Sequence, residues 1–163
     1  MLPIKLAPWL FLLSLTHSGV SAAMDAPSSE RSSAVADAPP ALSYVLNAEG
    51  LPFSDAVQVG STLYLSGLLG LNADGNLVEG GITAQMTQTM ENLRTALQQS
   101  GTSVHNVVKC TVILADIEDF AAMNAVYSRY FPADRLPTRT AFAARQLVMD
   151  ARVEVECLAV VPS

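Results

Sequence analysis

The stretch that decides the fold runs from Leu136-Pro137-Thr138-Arg139-Thr140 to Arg152-Val153-Glu154-Val155-Glu156-Cys157-Leu158-Ala159-Val160. It predicts two strands joined by a short link, with Pro137 before the first strand, where its missing N–H does least harm. The second strand alternates, with Val153, Val155, Cys157 and Ala159 on one face and Glu154, Glu156, Leu158 and Val160 on the other. Because this other face begins with two carboxylates and ends apolar, we expect it to be covered, with Glu154 where the cover begins.

Arg139 and Glu154 allow two interpretations that the strands alone leave open. In the first, they are surface residues or an ordinary ion pair between two strands. In the second, the Arg139 guanidinium grips the carboxylate of a ligand through two parallel hydrogen bonds, and Glu154 handles water beside it. The chain has only nine Lys and Arg residues, so Arg139 is one of few candidates for such an anchor.

The first 23 residues have the pattern of a secretory signal peptide. Lys5 gives a positive start, an apolar run covers Leu6–Leu15, and small residues precede a cleavage site at Ala23. The run is shorter than the roughly 20 residues that span a bilayer, so we expect no membrane span. Residues 24–40, rich in Ala, Ser and Pro, then predict a flexible leader, followed by one folded domain at 41–163. The protein is therefore expected to be exported, to a periplasm or outside the cell.

Charge and histidine content exclude several classes of function. The whole chain has a net charge of −6, and without Lys5 it has eight basic against fifteen acidic residues, a net charge of −7. No basic run or basic-aromatic stripe is present, so we expect neither nucleic acid nor an anionic membrane as a partner. His105 is the only histidine after the signal peptide, which argues against a Ser-His-Asp triad and against a histidine-based metal site.

Cys110 and Cys157 lie about midway along separate predicted strands. Export would make a disulfide chemically possible. Neither residue resembles a loop staple, and free buried Cys is common in strands. We therefore expect two free thiols and keep a disulfide as the alternative, because pairing geometry cannot be read from sequence.

The order of elements predicts an α+β domain with a mixed sheet. A strand at Asp55–Val59 forms a hairpin with Thr62–Leu69. The Ser66-Gly67 pair in the second strand marks either a bulge or a close approach of another group to the backbone, or else small residues that accommodate core packing. Apolar spacing predicts a helix at Ile82–Ser100. In a second, shorter helix, Asn124 lies beside the apolar stripe, either as a structural hydrogen-bonding residue or as part of a site. Two helices cover only one face of such a sheet, so we expect the other face to be buried by another subunit.

The chain from about Leu51 to Val160 resembles the reactive intermediate (enamine/imine) deaminase family, known as Rid or YjgF. The resemblance rests on pieces that match in order and spacing: Pro52-Phe53, Ser66-Gly67, Gln85, Asn92-Leu93, Cys110-Thr111-Val112, Asp119-Phe120, Asn124, Pro137-Thr138-Arg139-Thr140 and Val153-Glu154-Val155-Glu156. No single piece is specific alone. The most telling is the Pro-x-Arg-Thr strand followed by the Glu-x-Glu strand.

This resemblance implies a chorismate-mutase-like domain that forms a homotrimer with ligand clefts between subunits. It also implies hydrolysis of 2-imino acids and their enamine tautomers, such as 2-aminoacrylate and 2-iminopropanoate, to 2-keto acids and ammonia, with no metal and no organic cofactor. By position, Arg139 is expected to anchor the substrate carboxylate and Glu154 to order the attacking water. Phe53, Ser66, Gly67 and Asn124 are expected to line or support the cleft.

Three positions depart from the family's usual residues. Phe53 stands where the family often has a Tyr, Leu68 replaces a Gln that usually follows Ser-Gly, and Ala141 stands where a small residue or a Cys is often found. These changes predict a more apolar cleft and a preference for larger side chains. Together with export, they leave open an alternative, a non-catalytic trimer that binds small carboxylates or a protein partner.

Overall fold

The structure, a computed structural model, describes residues 39–162. The signal peptide predicted at 1–23 and nearly all of the leader predicted at 24–40 lie outside this range. The strands are β1 (Leu42–Leu46), β2 (Ser54–Val59), β3 (Thr62–Leu65), β4 (Val107–Leu114), β5 (Thr138–Ala143) and β6 (Val153–Val160), and the helices are α1 (Gly81–Gln99) and α2 (Phe120–Tyr127). No helix within 39–162 is long and apolar enough to cross a membrane.

The six strands form one mixed sheet in the order β1-β2-β3-β6-β4-β5. The tight β2–β3 link has Gly60 at φ 58°, a left-handed conformation that glycine adopts without strain. Strands β4 and β5 are parallel and are joined through α2, whereas β6 pairs antiparallel with both β3 and β4. The α+β class with a mixed sheet is therefore confirmed.

The two closing strands do not pair with each other, contrary to the short-linked pair predicted from the sequence. Strand β4 lies between β5 and β6 and pairs with both of them. A link of about ten residues is long enough to join two strands that pair as a hairpin. Strand β5 instead pairs with β4, because the α2 crossover places the two strands side by side and parallel. An ion pair between neighbouring strands is therefore impossible for Arg139 and Glu154 within one chain.

Both helices pack on one face of the sheet, as predicted. In β6 the residues Val153, Val155, Cys157 and Ala159 are fully buried, in one core cluster with Met90 of α1 and Met123 of α2. The alternation read from the sequence therefore places the correct side of β6 against the helices. Helix α1 begins and ends one residue before the bounds predicted from its apolar spacing.

The expectation of two free thiols is wrong, because Cys110 and Cys157 form a disulfide. The two residues are direct partners in the β4–β6 register, with Cα atoms 4.1 Å apart. Opposite positions on neighbouring antiparallel strands bring two Cβ atoms within bonding reach. The sequence shows the two strands but not their register, which is why it left this pairing undecided.

Removing the disulfide is expected to lower the free energy of unfolding by about 2–4 kcal/mol, the usual range for a crosslink of this span. The bond joins residues 47 positions apart, so the unfolded chain gains considerable freedom when it is absent. Urea denaturation of the Cys110→Ala/Cys157→Ala variant measures the loss. The same variant is the control for reductant, because its midpoint must not respond to dithiothreitol, whereas the native protein's must fall.

The face of the sheet opposite the helices exposes large apolar side chains. Tyr44, Tyr64 and Phe142 lie on this face by their register and are 57%, 47% and 45% exposed. Aromatic residues gathered on one sheet face lose little entropy when buried and are typical of interfaces between proteins. That another subunit covers this face, which also carries Glu154, stays a prediction.

Candidate functional site

The pairing between β3 and β6 is interrupted at Ser66-Gly67. Tyr64 pairs with Leu158, but the next bridge joins Leu68 to Val155, so the β3 side contains one extra residue. Strand β3 consequently ends at Leu65 rather than at Leu69 as predicted. The interruption is the bulge that a glycine inside a strand pattern indicates.

Gly67 is required at this bulge because the Glu154 side chain lies against it. A Cβ atom added at Gly67 would collide with Glu154 Oε1 and would lie 2.8 Å from Glu154 Cδ. The close approach of a side chain, one of the two interpretations of Ser66-Gly67, is therefore what the structure contains. The missing Cβ leaves room for the Glu154 carboxylate to reach the end of β3.

Burial of the Glu154 carboxyl raises its pKa above the usual value, and the charge of Glu156 raises it further. Glu154 is half-buried, while Glu156, two residues along the same face, is exposed. Burial disfavours the charged form, so the proton is held more tightly than in a surface glutamate. A carboxylate of this kind is a stronger base than usual and can take a proton from water.

The Glu154 carboxyl lines a cleft of about 850 Å³ at the end of β3. Apolar residues contribute much of its wall: Leu51, Phe53, Leu68, Leu69, Leu71, Val148 and Met149. Its charged residues are Glu49, Asp55 and Glu154, and neither Lys nor Arg is among the described residues that line it. The described part of the cleft can therefore supply a base and apolar contacts, but it supplies no cation for an anionic ligand.

Helix α1 fixes the floor of this cleft. The Asn92 amide donates hydrogen bonds to the carbonyl oxygens of Leu69 (2.9 Å) and Leu71 (3.0 Å). Between them, Gly70 lies so close to α1 that an added Cβ would be 2.5 Å from the Gln85 carbonyl oxygen. The segment after Gly67 is therefore held rigidly, and this keeps the Glu154 carboxylate in a fixed setting.

Two of the predicted lining residues have defined roles beside Glu154. Phe53 is 49% exposed and is one of the residues that line the cleft. The Ser66 hydroxyl donates a hydrogen bond to the Ser54 carbonyl oxygen at 2.7 Å, which ties the bulge to the start of β2. The single hydroxyl proton is thereby used, so Ser66 can offer a ligand only its oxygen lone pair.

Arg139 and Asn124 do not line the cleft that contains Phe53, Ser66, Gly67 and Glu154. Arg139 pairs with Cys110 and, across β4, aligns with Cys157, so its side chain lies on the helix-covered face. Glu154 is three residues from Cys157 in β6 and therefore points to the opposite face of the sheet. By standard strand spacings, the Cα atoms of Arg139 and Glu154 are about 14 Å apart. The predicted site residues thus form two separate groups within one chain.

The Arg139 group lies at the edge of the sheet beside α2. Strand β5 is the edge strand, and the guanidinium carbon of Arg139 lies 4.7 Å from the Tyr127 ring centre and 5.7 Å from that of Phe120. Asn124 is half-buried and lies on the same side of α2, four residues after Phe120 and three before Tyr127. The second group is therefore a cation held among aromatic rings, with an amide beside it in the helix.

Several residues of the site were missed from the sequence alone. The loop residues Val148 and Met149 line the cleft, and Met149 and Asp150 have φ angles of 60° and 58°, which is uncommon for residues other than glycine. Met149 is not a residue type that is typical of turns, so the sequence did not indicate its left-handed backbone conformation. Gly70 carried a signal, a second glycine soon after Gly67, that indicates close backbone approach.

Replacing Gly67 by Ala is expected to abolish most activity while the domain stays folded. The backbone φ of Gly67 is not in the left-handed region, so the penalty falls on the Glu154 carboxylate, which must leave its place. Catalytic activity is measured alongside the circular dichroism spectrum. In a Glu154→Ala background the same change should cost nothing further, and a full additional loss there would contradict the collision.

Among residues 39–162, no group of three His, Cys, Asp or Glu side chains is placed to hold a metal ion. The predicted site residues that can act in acid–base or anion chemistry are the half-buried Glu154 carboxylate and the Arg139 guanidinium. A carboxylate base and a carboxylate-binding cation can serve proton transfer on a small anionic ligand.

A mixed sheet with two helices on one face defines a small α+β domain, and its cleft with a half-buried carboxylate lies where strand β3 is interrupted. A family model described as endoribonuclease L-PSP matches residues 46–161. The chain belongs to this family, which is the Rid or YjgF family of the resemblance.

Known proteins of the family are similar in sequence and in fold. A mouse protein named 2-iminobutanoate/2-iminopropanoate deaminase is 44% identical over 110 residues, which cover 67% of this chain and 81% of the mouse protein. The crystal structure of the yeast protein YEO7 has a TM-score of 0.71 at 32% identity and covers 75% of this chain and all of the yeast chain. RidA from an Antarctic Psychrobacter has a TM-score of 0.64 at 35% identity and covers 68% and 89% of the two chains.

Proposed function

We propose that this protein hydrolyses 2-imino acids and their enamine tautomers to 2-oxo acids and ammonia. The observation that carries the proposal is the Glu154 carboxylate, half-buried against Gly67 in a cleft and with a raised pKa. The similarity to a mouse protein named as a deaminase of 2-iminobutanoate and 2-iminopropanoate supports the same reaction. We expect the favoured side chains to be larger than these two, because Phe53 and Leu68 make the cleft apolar.

The reaction requires little more than a bound substrate and a placed water. The carbon of a C=N bond is already electrophilic, so holding it near a water molecule supplies much of the rate. The imine reacts in its protonated, iminium form. Glu154 takes a proton from this water as the water oxygen bonds to the iminium carbon, and the electron pair of the C=N bond moves to nitrogen, which gives a neutral carbinolamine. Glu154 then returns the proton to the nitrogen, takes the proton of the carbinolamine hydroxyl as the C–N bond breaks, and passes it to the departing ammonia, which leaves as ammonium together with the 2-oxo acid. No step calls for a metal or an organic cofactor.

The substrate carboxylate needs a cation, and no Lys or Arg of residues 39–162 lines the Glu154 cleft. Arg139 can bind a carboxylate through two parallel N–H bonds, but in the same chain it lies on the other face of the sheet. A substrate of a few atoms cannot span about 14 Å. We therefore place the complete site between two copies of the chain, one supplying Glu154 and its neighbour supplying Arg139 and Asn124.

A homotrimer is the assembly that we propose for this arrangement. The apolar surface around Tyr44, Tyr64 and Phe142 supports burial of the helix-free face by another copy. Edge strand β5 leaves Arg139 near the border of the domain, where a neighbour can approach. A ring in which each copy gives its acid to one neighbour and its cation to the other has three identical sites and no unpaired half.

The family model's description names RNA cleavage, but the charges of this chain favour a small substrate. Nucleic acid is bound through Lys and Arg residues that neutralise phosphates. The whole chain carries a net charge of −6, and the described lining of the cleft contains three acidic residues and no basic one. A phosphate backbone would be repelled from this cleft.

Export is part of the proposal and rests on the pattern of residues 1–23. The Cys110–Cys157 disulfide supports it, because disulfides persist in oxidising compartments and are rare in the cytosol. Imino acids outside the cytosol would have to come from an oxidase or dehydrogenase acting on amino acids there.

A trapping assay tests the proposed function. An amino-acid oxidase generates imino acids of different side chains in the presence of catalase, semicarbazide traps the imine, and the semicarbazone is followed by its absorbance. The protein should lower the trapped yield, most strongly for larger apolar side chains, while the heat-denatured protein should not. A trimer that binds 2-oxo acids but leaves the yield unchanged would instead support the alternative, a non-catalytic binder.

A further inference from the structure

Arg139 is held differently from the two arginines that form ion pairs in the structure, Arg94 and Arg152. Arg94 pairs with Glu91, and Arg152 pairs with Asp119, whose Oδ2 accepts a 2.8 Å hydrogen bond from Arg152 Nε. Arg139 is partly buried but forms no ion pair with any carboxylate of residues 39–162. A partly buried charge without an acidic partner is costly unless other groups stabilise it.

Aromatic rings stabilise the Arg139 cation instead of a carboxylate. Its guanidinium carbon is 4.7 Å from the centre of the Tyr127 ring and 5.7 Å from that of Phe120. Both distances are within the roughly 6 Å over which a ring face attracts a cation. The two aromatic residues are seven apart in α2, two helical turns, and therefore face the same side of the helix.

Tyr127 meets Arg139 as a neutral ring and not as a phenolate. Burial raises the pKa of Tyr127 to about 12, although the nearby Arg139 charge acts to lower it. The Tyr127 hydroxyl is buried and has no hydrogen-bond partner among the described residues. Because the ring is only 5% exposed and packs against Phe131 with ring centres 4.8 Å apart, its own position is fixed by the core.

A ring face holds a guanidinium in a way that a carboxylate cannot. A paired carboxylate would occupy the N–H groups that a substrate needs, whereas contact through the flat face leaves those groups at the edge available. The rings attract the cation but carry no net negative charge, so Arg139 keeps its net positive charge for an incoming carboxylate. A fixed plane loses less freedom on binding than a mobile arginine does.

We propose that Tyr127, assisted by Phe120, is a positioning residue that holds the Arg139 guanidinium flat against α2 with its N–H edge free for the carboxylate of a 2-imino or 2-oxo acid. This inference rests on the proposed function only in the choice of ligand, since it concerns binding and not hydrolysis. Tyr127 acts through its ring, and its hydroxyl is not required.

Binding of 2-oxobutanoate to the full-length chain tests the inference without catalysis. Calorimetry gives the Kd for 2-oxobutanoate and for the uncharged 2-oxobutanamide in each variant. Tyr127→Leu should weaken 2-oxobutanoate binding by about 10-fold, and Phe120→Leu by about 3-fold, in the range of a partly desolvated cation–ring contact. Neither variant should weaken the binding of 2-oxobutanamide as much as that of 2-oxobutanoate, because the amide has no negative charge for Arg139 to bind.

Three controls separate positioning from damage to the fold. Tyr127→Phe keeps the ring, so its Kd should stay within about 2-fold of the native value, in line with the ring contact that it retains. In an Arg139→Ala background Tyr127→Leu should have little further effect. Phe120→Leu changes a side chain that is 39% exposed, so it remains informative if Tyr127→Leu fails to fold.

The inference is overturned if Tyr127→Phe weakens binding as much as Tyr127→Leu, or if both ligands weaken equally in Phe120→Leu. Native protein that binds 2-oxobutanoate no better than Arg139→Ala also overturns it, whether or not the protein hydrolyses imines. Native protein with ring-dependent 2-oxobutanoate binding and no effect on the semicarbazide trap supports the inference while the proposed function fails.

Discussion

Arg139→Ala is expected to lower kcat/KM for 2-imino acids by roughly 10²- to 10⁴-fold, because two charge-assisted hydrogen bonds to the substrate carboxylate are lost, at about 1.5–3 kcal/mol each. The Glu154 cleft has no cation of its own to compensate among its described lining. Most of the loss should appear in KM if the carboxylate is held equally in the ground and transition states. Steady-state rates of 2-oxo acid release over a range of imine concentrations measure both parameters.

Arg135→Ala is the matched control for Arg139→Ala. Arg135 is exposed and lies four residues before Arg139 in the sequence, and replacing it by Ala removes the same charge from the chain. Its kcat/KM should stay within about 2-fold of the native value, because a remote exposed charge has only a screened effect. Equal losses in the two variants would mean that general electrostatic attraction, and not a bound carboxylate, explains the role of Arg139.

Glu154→Gln is expected to lower kcat by about 10²- to 10⁴-fold with little change in KM, the usual effect of removing a general base. The amide has nearly the shape of the carboxyl, so it can remain against Gly67, but it cannot take a proton from water. Single-turnover measurements of imine loss separate this chemical step from product release. Glu156→Gln, on the same strand and face, should keep nearly full activity, and a comparable loss there would contradict the assignment.

The raised pKa of Glu154 predicts how both activity and stability should depend on pH. Activity should fall as pH drops through the raised pKa of Glu154, because the base becomes protonated, and Glu156→Gln should move this fall to lower pH. Folding raises the pKa of this carboxyl above its value in the unfolded chain, which is about 4.3. The carboxyl therefore favours the folded state most at pH values below the unfolded pKa, and this contribution is lost as the pH rises through the folded pKa. Glu154→Gln should therefore raise the thermal midpoint near pH 7 and leave it unchanged near pH 4.

Local patterns were sufficient to predict the elements of the fold. The apolar spacing of α1 placed both of its ends within one residue, and the alternation of β6 identified its buried side. Both patterns reflect which side of one element faces the core, and this is encoded within the element itself. The family match of residues 46–161 agrees with the resemblance drawn from the spacing of short pieces.

Relations between elements could not be predicted in the same way. The insertion of β4 between β5 and β6, and the direct opposition of Cys110 and Cys157, depend on register and strand order, which no single element encodes. For this reason the sequence predicted Arg139 and Glu154 on neighbouring strands, whereas the structure separates them by a strand and a sheet face. The Gly67 contact with Glu154 was one of two open interpretations, because a glycine signals a close approach without naming the partner.

The separation of acid and cation by the thickness of one sheet has a consequence for how the protein behaves on dilution. In the assembly that we propose, a dissociated chain would hold only half of each of two reaction centres, and we expect it to be inactive. Mixing two inactive variants, one lacking the acid and the other lacking the cation, should then regenerate working centres wherever an intact acid from one chain meets an intact cation from the next. Complementation between the two defects, and its disappearance at low concentration, would be the sign of catalysis that belongs to the assembly and not to the chain.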